Sequence, residues 1–220
     1  MKFTSYLYAL LSLLAGVVVF LYFFQWEILN PANYEWLFYH NGDVFQNYIG
    51  GALFRREPWH FPIITQITSI NYPEGVSIVY TDSNPLLSII TKALLSYLPP
   101  FYQYNGVWYL LCFMLMGYFS YRLIYVLTKN HLFALVSSVL FLLTPGLMHR
   151  AGHVNLMSHW LVVAAILVFV HPDTKWEVKS YQFWTLLFLS VAIHGYLFFM
   201  VFFIYIIWAI QLLRKEKWTL

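Results

Sequence analysis

The chain has 220 residues, of which 61% are hydrophobic and 10% charged, with a mean hydropathy of +0.65. Soluble domains carry roughly 25% charged residues, so this composition excludes a soluble globular protein and defines an all-α, polytopic membrane protein whose first partner is the lipid bilayer. The net charge of +3 is small and its basic residues are scattered between apolar segments, which excludes nucleic acid as a natural partner.

The first apolar run, about residues 6–25, is long enough for an uncleaved membrane span. Bulky Phe23, Phe24 and Trp26 stand where a signal-peptide cleavage site needs small residues. A polar stretch of outer loop follows, residues 26–106. It holds six of the nine carboxylates (Glu27, Glu35, Asp43, Glu57, Glu74 and Asp82) and the only adjacent arginine pair, Arg55-Arg56. Spans joined only to sit in lipid need short connections, so a loop of this length is where chemistry is expected. Within it, Asn41-Gly42 signals a turn and Asp43 then starts a helix whose Phe45, Ile49 and Leu53 make an apolar stripe. Pro58 ends that helix. Pro85 to Leu98, capped by Ser83 or Asn84, is too short to span. Its Ser88, Lys92 and Ser96 make a polar stripe, as expected of an amphipathic helix at the membrane interface. Lys92 reads there as a snorkelling side chain.

Further spans are expected at about 107–127, 132–147 and 159–170. The last apolar block, 183–213, is too long for one span, and His194-Gly195 breaks it into 183–194 and 196–213. The 20 Phe, 18 Tyr and 9 Trp suit interfacial belts, and Cys112, the single cysteine, lies in an apolar run with no disulfide partner. With the amino terminus cytoplasmic, eight of the twelve Lys and Arg residues fall inside and only Arg55, Arg56, Lys92 and Arg150 outside. This is the sense the positive-inside rule requires. The layout places the long loop and the 145–158 loop on one outer face.

The second loop contains His149, Arg150, His153 and His159 within eleven residues. Arginine with histidine grips phosphate through charge-assisted hydrogen bonds. Histidine with carboxylate binds divalent metal, although no specific metal-ligand motif is present. Each candidate also has a plainer reading. Asp43 is a helix cap, Arg150 a headgroup anchor, the histidines interfacial, and Asp82 within TDSNP a turn residue.

The strings GDVFQNYIGG, REPWHFP, PEGVSIVYTDSNPLLSIITK, QYNGVWYLLCFML and HRAGHVNLMSHW resemble an uncharacterised bacterial family of multi-spanning proteins with a GT-C-like glycosyltransferase fold. The resemblance runs from about Phe38 to Val163. It implies a long first extracytoplasmic loop with interfacial helices, residence in the bacterial cytoplasmic membrane, and a polyprenyl-phosphate sugar donor. Asp43 matches the superfamily's loop acid, which acts as general base on the acceptor. Substrate binding would then fall to Arg150, His153, Arg55, Arg56 and Asp82, with a divalent cation as an open question. Superfamily enzymes are longer, so a chain ending at Leu220 is expected to be truncated or one part of a split protein. The competing expectation is a non-catalytic membrane scaffold or partner subunit. A transporter is disfavoured because the spans are nearly free of charge, His194 being the main exception.

Overall fold

Residues 2–39, 42–99, 101–172 and 174–217 are described by the computed structural model. The expected turn at Asn41 and the helix-ending Pro100 lie outside the described residues. The structure is 76% helical with almost no sheet.

The N-terminal apolar run forms α1 (Lys2–Phe23), which packs along α5 (Asn105–Thr128), the central helix. Two glycines set this contact. A Cβ on Gly16 would lie 2.5 Å from the Phe113 carbonyl oxygen, and one on Gly117 would lie 2.4 Å from that of Ser12. Small residues let helices approach closely where lipid removes the hydrophobic drive for association. On its other sides α5 meets α6 (His131–Leu142) and α8 (Trp160–Val170). Beyond α8 stand α9 (Trp176–Ile193) and α10 (Gly195–Lys217), packed on α8 and on each other. Phe113, Leu142, Leu161, Phe183 and Leu197 are fully buried in the resulting core.

Among the described residues, three helical segments are long and apolar enough to cross a membrane: Phe3–Phe23, Asn105–Thr128 and Gly195–Arg214. The segment expected as one span at 132–147 is broken. α6 stops at Leu142, and Pro145, which cannot extend a helix, opens the four-residue α7 (Pro145–Met148) across a bend of 41°. The two segments together are a fourth candidate, and Val154–Val170 is a shorter apolar helix. At His194 the backbone turns extended, with φ −164° and ψ 133°, and separates α9 from α10.

The loop between α1 and α5 folds as α2 (Trp36–Tyr39), α3 (Asp43–Arg56), a two-stranded hairpin of β1 (Gln66–Ile67) and β2 (Val76–Ser77), and α4 (Pro85–Ala93). Two expectations are corrected here. The buried face of α3 carries Val44, Asn47, Tyr48, Gly51, Phe54 and Arg55, so it is turned away from the 45/49/53 stripe, and Phe45 is exposed. Position 47 is polar and position 51 is glycine, so an apolar stripe could not reveal a face whose burial depends on hydrogen bonds and close approach. In α4, capped by Asn84 Oδ1 accepting from the Leu87 N–H at 3.1 Å, the polar stripe faces the protein. Ser88 and Lys92 are buried, and Ser96 lies past the helix end. Lys92 does not snorkel. Its Nζ donates to the Pro58 carbonyl at 3.1 Å and sits 3.9 Å and 4.6 Å from the ring centroids of Phe54 and Trp59. Burial lowers its pKa from the ordinary lysine value, partly opposed by the charge of Glu57.

The loop is tied to the spans at its root. Gln103 Nε2 donates to the carbonyls of Ile28, at 2.6 Å, and Asn30, at 3.1 Å, while its Oε1 accepts from the Gly106 N–H.

Candidate functional site

Asp43 begins α3, but the capping position belongs to Gly42, whose φ of 107° suits glycine. Among the described residues, the carboxylate of Asp43 meets a histidine from another part of the chain. His153 Nδ1 donates to Asp43 Oδ2. His153 follows the 3-10 turn His149–Gly152, which Tyr109 of α5 anchors by donating its hydroxyl to the Ala151 carbonyl.

Asp82 arrives from a third direction. It follows the 3-10 turn Ile78–Thr81 in the left-handed region, at φ 53° and ψ 6°, which aspartate tolerates better than most residues. Its carbonyl accepts from Asn47 Nδ2 of α3 at 2.5 Å and from Asn155 Nδ2 at 2.7 Å. One backbone oxygen therefore ties together the three segments that build the site. Ser83 Oγ adds a 2.7 Å bond to the Asn47 carbonyl. At Gly50 a Cβ would fall 2.1 Å from Thr81 Oγ1, so only glycine lets the turn lie this close to α3.

The Asp82 side chain faces His194, with Nε2 to Oδ1 at 3.8 Å. Ligand atoms of Asp43, Asp82 and His153 lie within 4.8 Å of one another. Two oxygen ligands of one calcium-sized ion, each at about 2.4 Å, can be up to about 4.8 Å apart, so the spacing of the three side chains is compatible with one divalent cation. Two oxygen donors and one imidazole suit a hard or borderline ion.

Beside this cluster opens a cavity of about 630 Å³. Its lining mixes the basic groups Arg150, His153, His159 and His194 and the carboxylate of Asp82 with the apolar Val79, Leu156 and Met200. Arg150 and His153 are exposed, and Asp43 and Asp82 half-buried, so the groups are open to a ligand. Asn155, 3% exposed, leaves its Oδ1 without a partner next to Asp82 and His194.

Of the candidates in the sequence, the fold brings together Asp43, Asp82, Arg150 and His153. The arginine pair stands elsewhere. Arg55 is twelve residues further along α3, about 18 Å at 1.5 Å per residue. It is buried, with its guanidinium 4.4 Å from the Tyr102 ring and donating to the Tyr102 carbonyl at 3.4 Å. Arg56 lies 5.0 Å from the Phe101 ring. Both hold the end of α3 against the start of the next span. Residues that the sequence did not assign to the site are Asn155 and His194, the latter read there only as a helix break and an unusual polar group within the spans. For His194 the available signal was a histidine beside glycine in the middle of a long apolar block.

An α-helical membrane protein with two carboxylates, three histidines and an arginine gathered at one end of its helices is the class these observations define. The chain belongs to the family described as a domain of unknown function (DUF6311), whose model matches residues 13–220. No curated protein and no solved structure matches the chain.

Proposed function

We propose that the protein is a membrane glycosyltransferase of GT-C-like fold. It would transfer a sugar from a polyprenyl-phosphate donor to an acceptor hydroxyl outside the bacterial cytoplasmic membrane, with its amino terminus in the cytoplasm. The observation that carries this reading is Asp43, a carboxylate that is not the helix cap and is held by His153 beside a cavity lined by both basic and apolar residues. A lipid-phosphate donor needs both kinds of residue, apolar ones for its chain and basic ones for its phosphate.

In the proposed reaction the acceptor oxygen attacks the anomeric carbon in line with the phosphate, and the C–O bond to the phosphate breaks with inversion. Asp43 takes the acceptor proton, an assistance worth roughly 10²–10⁴-fold. The electron pair leaves on the lipid phosphate, whose charge Arg150 meets, with His159 and His194 beside it. His153 holds the base in place. A divalent cation on Asp43, Asp82 and His153 would, when bound, help neutralise phosphate charge.

Asp43→Asn tests the reading. It keeps shape and removes the proton acceptor, so transfer from a polyprenyl-phosphate sugar should fall at least 100-fold while the protein stays folded in the membrane. Wild-type transfer that survives Asp43→Asn would refute the assignment. Absence of transfer by the wild type in the complete cellular system would favour a scaffold or partner subunit.

A further inference from the structure

A second cavity, of about 640 Å³, lies between α5, α8 and α9. Its residues include Arg122, His171 and Gln182. Arg122 is seventeen residues beyond Asn105, about 25 Å along α5 at 1.5 Å per residue, and His171 closes the far end of α8 from His159. The cavity is therefore at the opposite end of the helices from the Asp43 cluster.

Its chemistry is one-sided. No Asp or Glu is among its described lining residues, whereas Arg122 supplies a permanent positive charge and Gln182 and Tyr181 can donate hydrogen bonds. Ala164, Leu167, Val168 and Leu186 supply an apolar wall. Arg122 has no hydrogen bond and no carboxylate partner among the described residues, and its Nε is sealed from solvent without an acceptor. A guanidinium in that state is costly at the edge of a bilayer unless an anion meets it. Arginine's planar fork is matched to phosphate oxygens.

We infer that this groove binds one anionic phospholipid from the adjacent leaflet, its phosphate on Arg122 and an acyl chain along the Leu167–Leu186 wall. A free phosphate would satisfy Arg122 but leave the apolar wall uncovered, and a zwitterionic lipid would bring its own cation to a site whose described lining residues offer no carboxylate to receive it. The groove does not include the Asp43 cluster, so the inference stands independently of the transferase reading.

The test is native mass spectrometry of the full chain released from nanodiscs of phosphatidylcholine or of phosphatidylcholine with phosphatidylglycerol. Wild type should retain one phosphatidylglycerol and prefer it to phosphatidylcholine. Arg122→Gln should weaken that retention roughly 10- to 100-fold, the size of a lost charge-assisted contact, and leave phosphatidylcholine unaffected. Thr185→Trp, which fills the groove while keeping the charge, should also displace the lipid, and it decides the question if Arg122→Gln fails to fold. Equal retention of the two lipids by wild type, or unchanged phosphatidylglycerol retention in either folded variant, would overturn the proposal. Displacement of the lipid by millimolar inorganic phosphate would overturn it in favour of a soluble anion.

Discussion

Glu57 organises the loop that carries Asp82, and removing its charge should loosen that loop. Its carboxylate accepts from the Ser69 N–H at 2.8 Å, from Thr68 Oγ1 at 2.8 Å and from His60 Nε2 at 3.4 Å. These bonds, Ser69 first, pull its pKa from 4.5 down to about 2. Because the folded value lies below the unfolded one, the stabilisation is complete above about pH 4.5 and is lost as the pH falls toward 2. A shift of this size corresponds to about 3 kcal/mol at neutral pH. The bond from Ser69 is exposed to solvent, so screening reduces the expectation to about 2 kcal/mol. Glu57→Gln keeps one acceptor oxygen and loses the charge. Limited proteolysis of residues 58–76 in detergent at pH 7 should then accelerate about 10- to 30-fold, since cleavage tracks the open population. Wild type should approach the same rate as the pH falls below 4, and the variant should show little pH dependence between 5 and 3. An acid-stable protease suits the low-pH arm. A variant cleaved at the wild-type rate, or a wild type insensitive to acid, would refute the assigned role.

Two further changes test the packing. Gly106→Ala would put a Cβ 1.9 Å from the Ile28 carbonyl oxygen and break the root of the loop, lowering stability by about 1–3 kcal/mol. Gly152→Ala, which meets nothing within 4 Å, should leave the thermal midpoint in detergent unchanged. Arg55→Met should destabilise the protein by about 1–2 kcal/mol through the lost contacts with Tyr102. In a donor-binding assay it should leave affinity unchanged, and a selective loss of affinity would return Arg55 to the site.

Membrane character, the cap at Asn84 and the break at His194 were legible in the sequence because each is a local property. Bilayer solubility follows from composition, a cap from one side chain and its neighbours, a break from an interruption in an apolar run. Asp43, Asp82, Arg150 and His153 could also be picked out individually as polar groups between apolar segments. Their meeting could not. It depends on one carbonyl, that of Asp82, receiving amides from Asn47 and Asn155, residues 35 and 73 positions away. The same kind of distant contact turned Lys92 inward onto Phe54 and Trp59, set Arg55 against Tyr102, and brought His194 to Asp82. Local pattern reports what each residue can do. Only the packing of glycine-bearing backbones and the pairing of buried polar groups decides which residues do it together.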